Sequence, residues 1–500
     1  MTTQVRPSRT AGPQPSEAHP HHERRWLILA VLGLAQLMVV LDATIVNIAL
    51  PSAQQALGFS NGDRQWIVTG YALAFGALLP LGGRVGDLIG RKNSLLIGLI
   101  GFALASAVGG AAQGFGMLVT ARAAQGVFGA LLAPAVLSLL TTTFADAKER
   151  AKAFGIYGAI AGAGGAIGLL LGGVLTEYLN WRWSLYVNVI FAVAAATGGA
   201  LLLVNQRADG RNNRLDVPGA LTVSAGLFAV VYGFANAETH AWSDAKVWGW
   251  LTAAGILLAV FVAIQSRVAH PLIPLRVLLD RTRGGALLAV LLLGIGMFAV
   301  FLFLTYYLQQ NLGFSPIRSG VAFLPMIGAL SVTATVATSL VVPRVGARPL
   351  IPAGFLLGSA GMLWLTQLGT GSSYAGNVLG PLLVMGVGVG LAMAPAMTAG
   401  TSGVGSEDAG VASALVNTAQ QVGGSVGTAV LSSIAASSLT DYLVGKAATP
   451  ATLAAATIHS YTTTFAWVAG FFALGAIVSG LLLPSGPLRT NPDAAPAGHI

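Results

Sequence analysis

Gly82-Gly83-Arg84-Val85-Gly86-Asp87-Leu88-Ile89-Gly90-Arg91-Lys92 is the stretch from which the fold is read. It stands between two apolar runs, roughly 66–84 and 94–113, each long enough to cross a bilayer as a helix. The spacing predicts a tight, charged reversal on one side of a membrane. Gly83 and Gly90 permit close backbone approach and positive φ. Asp87 can accept charge-assisted hydrogen bonds, and Arg91 and Lys92 suit the cytosolic face. An ordinary cation-rich cytoplasmic loop accounts for the same composition, so the stretch fixes a membrane reversal before it fixes a function.

Composition agrees. Hydrophobic residues are 55% of the 500 and charged residues only 9%, against about 25% in a soluble domain. The mean hydropathy is +0.75. This is the profile of a polytopic, all-α membrane protein. The formal charge of +9 does not point to nucleic acid, because the cations fall in short segments between apolar runs and form no stripe on a soluble face. There is no Cys, and the seven His show no ligand spacing, so neither a metal nor a cofactor is expected. Residues 1–25, rich in Pro, Ser, Thr and His, read as a disordered cytoplasmic tail, and 484–500 as another. The apolar run after residue 25 exceeds a signal-peptide core and lacks an obvious cleavage site, so it is expected to stay as the first helix.

Fourteen apolar stretches are long enough to span, near 26–50, 66–84, 94–113, 117–140, 153–176, 183–204, 217–236, 247–266, 284–308, 318–340, 347–367, 377–398, 411–437 and 462–483. Charge tests the parity, because cytoplasmic loops hold an excess of Lys and Arg. With a cytoplasmic N-terminus the inside loops carry Arg84, Arg91, Lys92, Lys148, Arg150, Lys152, Arg207, Arg211, Arg214, Arg267, Arg276, Arg281, Arg283, Arg344 and Arg348. The outside loops carry only Arg64, Arg182, Lys246, Arg318 and Lys446. Both termini are therefore expected in the cytoplasm of a cell-membrane protein.

A weak internal repeat aligns Asp87-Leu-Ile-Gly90-Arg-Lys92 with Pro343-Arg-Val-Gly346-Ala-Arg348, matching the glycine and one cation but not the carboxylate. It divides the chain into a six-helix bundle over 26–204, a linker with two additional helices over 205–283, and a second six-helix bundle over 284–483.

Charges inside spans are costly and point to function. Two stand out. Asp42 lies about 25 Å along the first helix from Arg25, at ~1.5 Å per residue. Arg122 lies at a matching depth in the fourth helix. A structural ion pair pinning the two helices together is one reading. The other is a carboxylate that binds and releases a proton as Arg122 leaves and returns. The fifth helix carries Gly158, Gly162, Gly165, Gly168, Gly172 and Gly173, so one face is almost free of side chains and can pack another helix closely. The segment Gly162 to Gly168 has the look of a dinucleotide loop, but no strand precedes it and it lies inside an apolar run.

Several of these segments together resemble the 14-helix drug:proton antiporters of the major facilitator superfamily (EmrB/QacA type). They are the Gly83 to Lys92 loop, Arg122-x-x-Gln125-Gly126, Leu41-Asp42-x-Thr44-x-Val46-Asn47-x-Ala49-Leu50-Pro51, Trp181-Arg182-Trp183 running to Asn188, and Tyr307-Leu-Gln-Gln310 with Gly313-Phe-Ser-Pro316, Ser319-Gly320 and Leu324-Pro325. The likeness covers about residues 26–483. It departs from the family at Leu169 and Ile190, where proline is usual. The resemblance implies two six-helix bundles rocking about a central cavity, and no enzyme activity. It also implies proton coupling at Asp42 and Arg122, a cytoplasmic gate at the loop of Gly83, Asp87, Gly90, Arg91 and Lys92, and an antiporter glycine face on helix 5.

Two further expectations concern the gate and the cargo. Glu407 and Asp408 precede the thirteenth helix and could meet Arg91 or Lys92 as gate partners. Solvated charges favoured by the helix dipole, worth only ~0.3–1 kcal/mol, would look the same. Asp42 is the clear mid-span carboxylate, so a neutral or weakly basic lipophilic substrate exported against an entering proton is expected. The expected partners are thus a small lipophilic molecule, protons and membrane lipid, with no nucleic acid and a monomeric state. A symporter or importer of a small metabolite shares the fold but should lack the helix 5 glycines.

Overall fold

A computed structural model describes residues 24–486, apart from 61, 145, 205–215, 238–239, 241–242, 269–270, 405–408 and 448. Among the described residues the chain is helical throughout and has no strand. The main helices are α1 (Arg25–Leu57), α2 (Arg64–Ile89), α3 (Arg91–Gly110), α4 (Phe115–Thr143), α5 (Ala147–Tyr178), α6 (Trp183–Leu202), α7 (Val217–Asn236) and α8 (Ala245–Gln265). They continue with α9 (Arg281–Asn311), α10 (Pro316–Val345), α11 (Leu350–Leu365), α12 (Tyr374–Thr401), α13 (Ala409–Leu443) and α14 (Pro450–Leu482). Among the described residues twelve helices are long and apolar enough to cross a membrane. The expected spans at 66–84 and 347–367 fall in α2, of 26 residues, and α11, of 16, which are not among those twelve.

Acidic residues start many of these helices. Asp146, Asp216, Asp244 and Asp280 accept backbone N–H groups at the starts of α5, α7, α8 and α9, the use of carboxylates that the orphan donors of a helix start favour. Pro51, Pro134, Pro325 and Pro395 lie inside α1, α4, α10 and α12 without ending them, as membrane helices tolerate. In α9 the backbone winds as π-helix over Val300–Leu304 and again over Tyr307–Asn311.

The reversal at the opening stretch is tighter than expected. Helix α2 runs through Gly82, Gly83, Arg84 and Asp87 to Ile89, and the chain turns at Gly90 alone, at φ 89°. Gly83 stays helical, and the close approach is made by Gly82: a Cβ there would lie 2.0 Å from the Ala130 carbonyl oxygen of α4, while one at Gly83 would lie 3.6 Å from Pro134. The Asp87 side chain lies outside the described residues.

Helices α1 to α6 pack on one another, as do α9 to α14. The two groups meet along two seams, α2 against α13 and α5 against α10. These are the second and fifth helices of each group in opposite pairing, as an internal two-fold repeat produces. Helix α7 docks on α2 and α13, with Ser224 Oγ donating to the Ala77 carbonyl at 2.8 Å, and α8 packs on α7. The Arg64 end of the molecule is the side where α1 passes to α2, and the Lys92 end is the side where α2 passes to α3.

Candidate functional site

Asp42 and Arg122 come together in the core of the first six helices. Arg122 Nη1 donates to Asp42 Oδ2 at 2.6 Å, with the side chains 2% and 0% exposed. Such a pair is kept only where the remaining polar atoms are satisfied, and neighbouring helices do this. Gln125, one helical turn from Arg122, accepts from Arg122 Nη1 at 2.7 Å and donates to Asp42 Oδ1 at 3.0 Å and to Ser106 Oγ at 2.7 Å. Asn188 Nδ2 donates to Asp42 Oδ1 at 2.7 Å. Arg122 Nε donates to the Ile67 carbonyl at 3.2 Å, and its guanidinium lies 4.4 Å from the centre of the Tyr71 ring. The cluster thus draws on α1, α2, α3, α4 and α6.

Two polar atoms at this cluster have no hydrogen-bond partner among the described residues, Asn188 Oδ1 and Tyr71 Oη. The carboxylate therefore sits among donors that suit its charged form, with a spare acceptor on the same Asn188 amide. A cavity of about 20 Å³, lined by Ile67, Leu118, Arg122 and Ser184 among others, adjoins the pair on its Arg64 side. It is roughly the size of one water molecule.

Among its described residues helix α5 supplies no group to the cluster, but it lies against α1 beside it. A Cβ at Gly168 would lie 2.0 Å from Thr44 Oγ1 and 3.1 Å from the Leu41 carbonyl, and one at Gly172 3.0 Å from the Ile45 carbonyl. The glycine face then divides. Gly173 faces α10, its Cβ position 2.6 Å from Ile317 Cα, and Gly320 of α10 returns the contact at 2.5 Å from the Leu169 carbonyl. Glu177 Oε2 accepts the Ile317 N–H at 3.0 Å at the same seam. Gly158 and Gly165 meet nothing within 4 Å among the described residues, Gly162 has no described surroundings, and Gly164, not singled out in the sequence, packs on Val40. One continuous packing face was expected. The structure has an α1-facing side and an α10-facing tip.

At the Arg64 end the halves also touch through side chains. Tyr306 Oη donates to Gln54 Oε1 at 2.7 Å, Gln309 Nε2 donates to the Ile48 carbonyl at 3.1 Å, and the Arg64 guanidinium lies 4.2 Å from the Tyr306 ring centre. At the Lys92 end Glu407 and Asp408 lie outside the described residues, so their contact with Arg91 or Lys92 is not seen. Lys92 Nζ donates to the Ala200 and Leu203 carbonyls at 2.8 and 2.6 Å, closing the end of α6 within its own half.

The sequence patterns contain Gln125 and Asn188 without giving them a role, and they do not single out Ser106 or Tyr71. The available signal was a polar side chain inside an apolar run, which marks a need for a partner without naming it. No cluster of metal-ligating side chains exists among the described residues.

Residues 32–428 match the family model of the Major Facilitator Superfamily. The chain is 47% identical to the puromycin resistance protein pur8 of Streptomyces alboniger over 464 residues, 92% of each chain. It is 38% identical to the cephamycin export protein CmcT of Amycolatopsis lactamdurans, over 93% of this chain and 95% of that one. To the tetracenomycin C resistance and export protein of Streptomyces glaucescens it is 36% identical, over 85% and 78%. Among solved structures it superposes on a bacterial homolog of the human lysosomal transporter Spinster, inward-facing and unoccupied, with TM-score 0.64 and 15% identity over 94% and 98% of the two chains, a likeness of fold. The chain belongs to the Major Facilitator Superfamily of membrane transporters.

Proposed function

We propose that this transporter is a proton-coupled efflux antiporter that exports a lipophilic antibiotic or related drug by alternating access. The observation that carries the proposal is the Asp42–Arg122 pair, buried and joined to helix α5 through the Gly168 and Gly172 contacts on α1. Export is supported by the resistance and export proteins to which the chain is similar over almost its whole length.

Protonation of Asp42 removes the charge that holds Arg122. The neutral carboxyl then has a proton to donate, and the free acceptor on Asn188 supports its accommodation. Any shift of α1 at Leu41 to Ile45 bears on α5, and the α5 tip bears on α10 of the second half. Proton occupancy is thereby coupled to the angle between two six-helix bundles, 26–204 and 284–483, with α7 and α8 as an inserted pair. In this reading α2 and α11 also span, giving fourteen spans with both termini cytoplasmic and the Lys92 end facing the cytoplasm. The Gly83 to Lys92 stretch acts there as the gate.

A neutral or weakly basic substrate exchanged for one proton moves net charge. Membrane potential then contributes ~2.3 kcal/mol per 100 mV, and each pH unit ~1.4 kcal/mol. The test is drug uptake by the purified protein in liposomes, with ΔpH and potential imposed separately. Uptake driven by both is expected. Transport that ignores ΔpH would defeat antiport, and transport that ignores potential would defeat the neutral substrate. For topology, cysteines are introduced singly into a chain that has none. An impermeant thiol reagent is expected to reach Lys446→Cys but not Lys148→Cys in intact cells, and the reverse result breaks the fourteen-span reading.

A further inference from the structure

Beside α13, between α7 and α9, lies a cavity of about 470 Å³. Leu227 of α7 forms one wall, Leu288 and Leu291 of α9 a second, and Ala419 and Val422 of α13 the floor. Gly284 and Gly285, in the first turn of α9, also line it, and a Cβ at Gly285 would come 3.0 Å from Leu482 Cβ of α14. From Gly284 to Leu291 the groove runs about 10 Å along α9, at ~1.5 Å per residue. That is within one leaflet of a hydrocarbon core ~30 Å thick. Leu288 is 44% exposed, so the groove opens sideways, at acyl-chain depth, away from the Asp42 cluster.

The mouth of the groove is cationic. Arg281 is exposed there and spends one N–H group on the Leu481 carbonyl at 2.6 Å, which fixes the guanidinium at the rim. The rim carboxylate, Asp280, is already engaged: it accepts the Thr282 and Arg283 N–H groups, each at 3.1 Å, and lies 3.6 Å from the Arg283 guanidinium. Deeper in, the lining is apolar, with Leu415 and Val422 of α13 beside Leu287 and Leu291 of α9.

We propose that this groove binds one anionic glycerophospholipid. An acyl chain fills the space between α7 and α9, and the headgroup phosphate rests on Arg281. Basic pockets between membrane helices at headgroup depth suit such lipids. Under the topology proposed above the lipid comes from the cytoplasmic leaflet, and the assignment needs the membrane reading but not the efflux reading. Bound there, the lipid joins the inserted pair to α9 and covers α13, the helix that forms one seam between the halves.

The test is native mass spectrometry of the full chain, equilibrated in micelles holding equal phosphatidylglycerol and phosphatidylcholine. Wild type should retain one phosphatidylglycerol with a preference of about fivefold. Arg281→Gln should retain one lipid with the preference lost, and Ala419→Phe should retain neither. Thermal melting checks that both variants fold. If Ala419→Phe does not, a photoactivatable phosphatidylglycerol should label wild type between residues 284 and 291, and labelling elsewhere overturns the site. Unchanged preference in Arg281→Gln, or unchanged retention in a folded Ala419→Phe, also overturns it. Displacement of the lipid one for one by a transported drug would give the groove to the substrate instead. None of these readouts depends on transport, so a failed efflux assay leaves the lipid site standing.

Discussion

The two halves repeat a packing plan but not a chemistry. Helices α1 to α6 enclose a buried carboxylate, a guanidinium and their amide and hydroxyl partners. In α9 to α14, among the described residues, no charged or amide side chain is buried: apart from Tyr306, Tyr307 and Tyr461, the buried side chains with polar atoms are Ser and Thr. Most of these bond their own helix: Ser425, Thr428, Thr464 and Ser479 each donate to a carbonyl four residues back. The rest of that interior is aromatic and aliphatic, with Phe303, Phe323, Phe355, Phe465 and Phe472 fully buried. A charge-holding half and an apolar half can turn against each other without each having to manage an ion. On this reading the proton acts on one half and the other half follows.

Asp42→Asn tests that division with the largest expected effect. It leaves Arg122 charged in a site from which solvent is excluded, and removing one partner of a buried pair costs ~3–5 kcal/mol. Proton-driven uptake should vanish and the melting temperature should fall. Asp42→Asn with Arg122→Gln should recover much of the stability and none of the coupling. Full ΔpH-driven transport by the single variant would take Asp42 out of the mechanism.

Asn188→Ala comes next. It removes one of the donors to the carboxylate, a hydrogen bond to a charged group worth about 1.5–3 kcal/mol. Drug binding measured by fluorescence quenching should persist while ΔpH-driven turnover drops. Equal losses of both would make Asn188 a packing residue of α6 and shrink the coupling cluster.

Gly173→Ala addresses the seam itself. The added methyl meets Ile317 backbone atoms at 2.6 and 2.9 Å, so the halves must part at the Arg64 end, at a cost of about 1–3 kcal/mol. Gly165→Ala adds its methyl in open space and should leave transport unchanged. Cysteine cross-linking between α5 and α10 should weaken in the first variant and not in the second. Equal behaviour would mean that the seam is not closed by glycine contact.

The contrast between these two glycines shows what the sequence could and could not carry. Apolar run lengths placed the helices, because a bilayer sets a minimum length and tolerates few charges. The depth of Asp42 and Arg122 followed from a fixed rise per residue, and the two do meet. Spacing alone could not tell Gly165 from Gly168, because which side of α5 meets α1 and which meets α10 depends on tertiary packing. Nor could it tell Gly82 from Gly83: both lie inside α2, and only the placement of α4 decides that Gly82 faces the Ala130 carbonyl. Asn188 and Ser106 stayed hidden for a related reason, since their partners are more than fifty residues away or engaged through Gln125.

The smallest expected effect falls in the apolar half, and it is the one that makes the comparison falsifiable from the other side. Thr464 is fully buried, and its hydroxyl donates to the Ser460 carbonyl at 2.8 Å. That carbonyl lies inside α14, where the helix's own backbone N–H donors also reach it, so Thr464→Val leaves no acceptor stranded. The replacement is β-branched and close in shape, and the change in stability should stay within about 1 kcal/mol, the net worth of one neutral hydrogen bond. ΔpH-driven uptake should match wild type, in contrast to Asn188→Ala, which also removes one buried hydrogen bond. If Thr464→Val folded normally and yet lost coupling, the second half would be handling the proton too, and the assignment of charge work to α1 through α6 would fail.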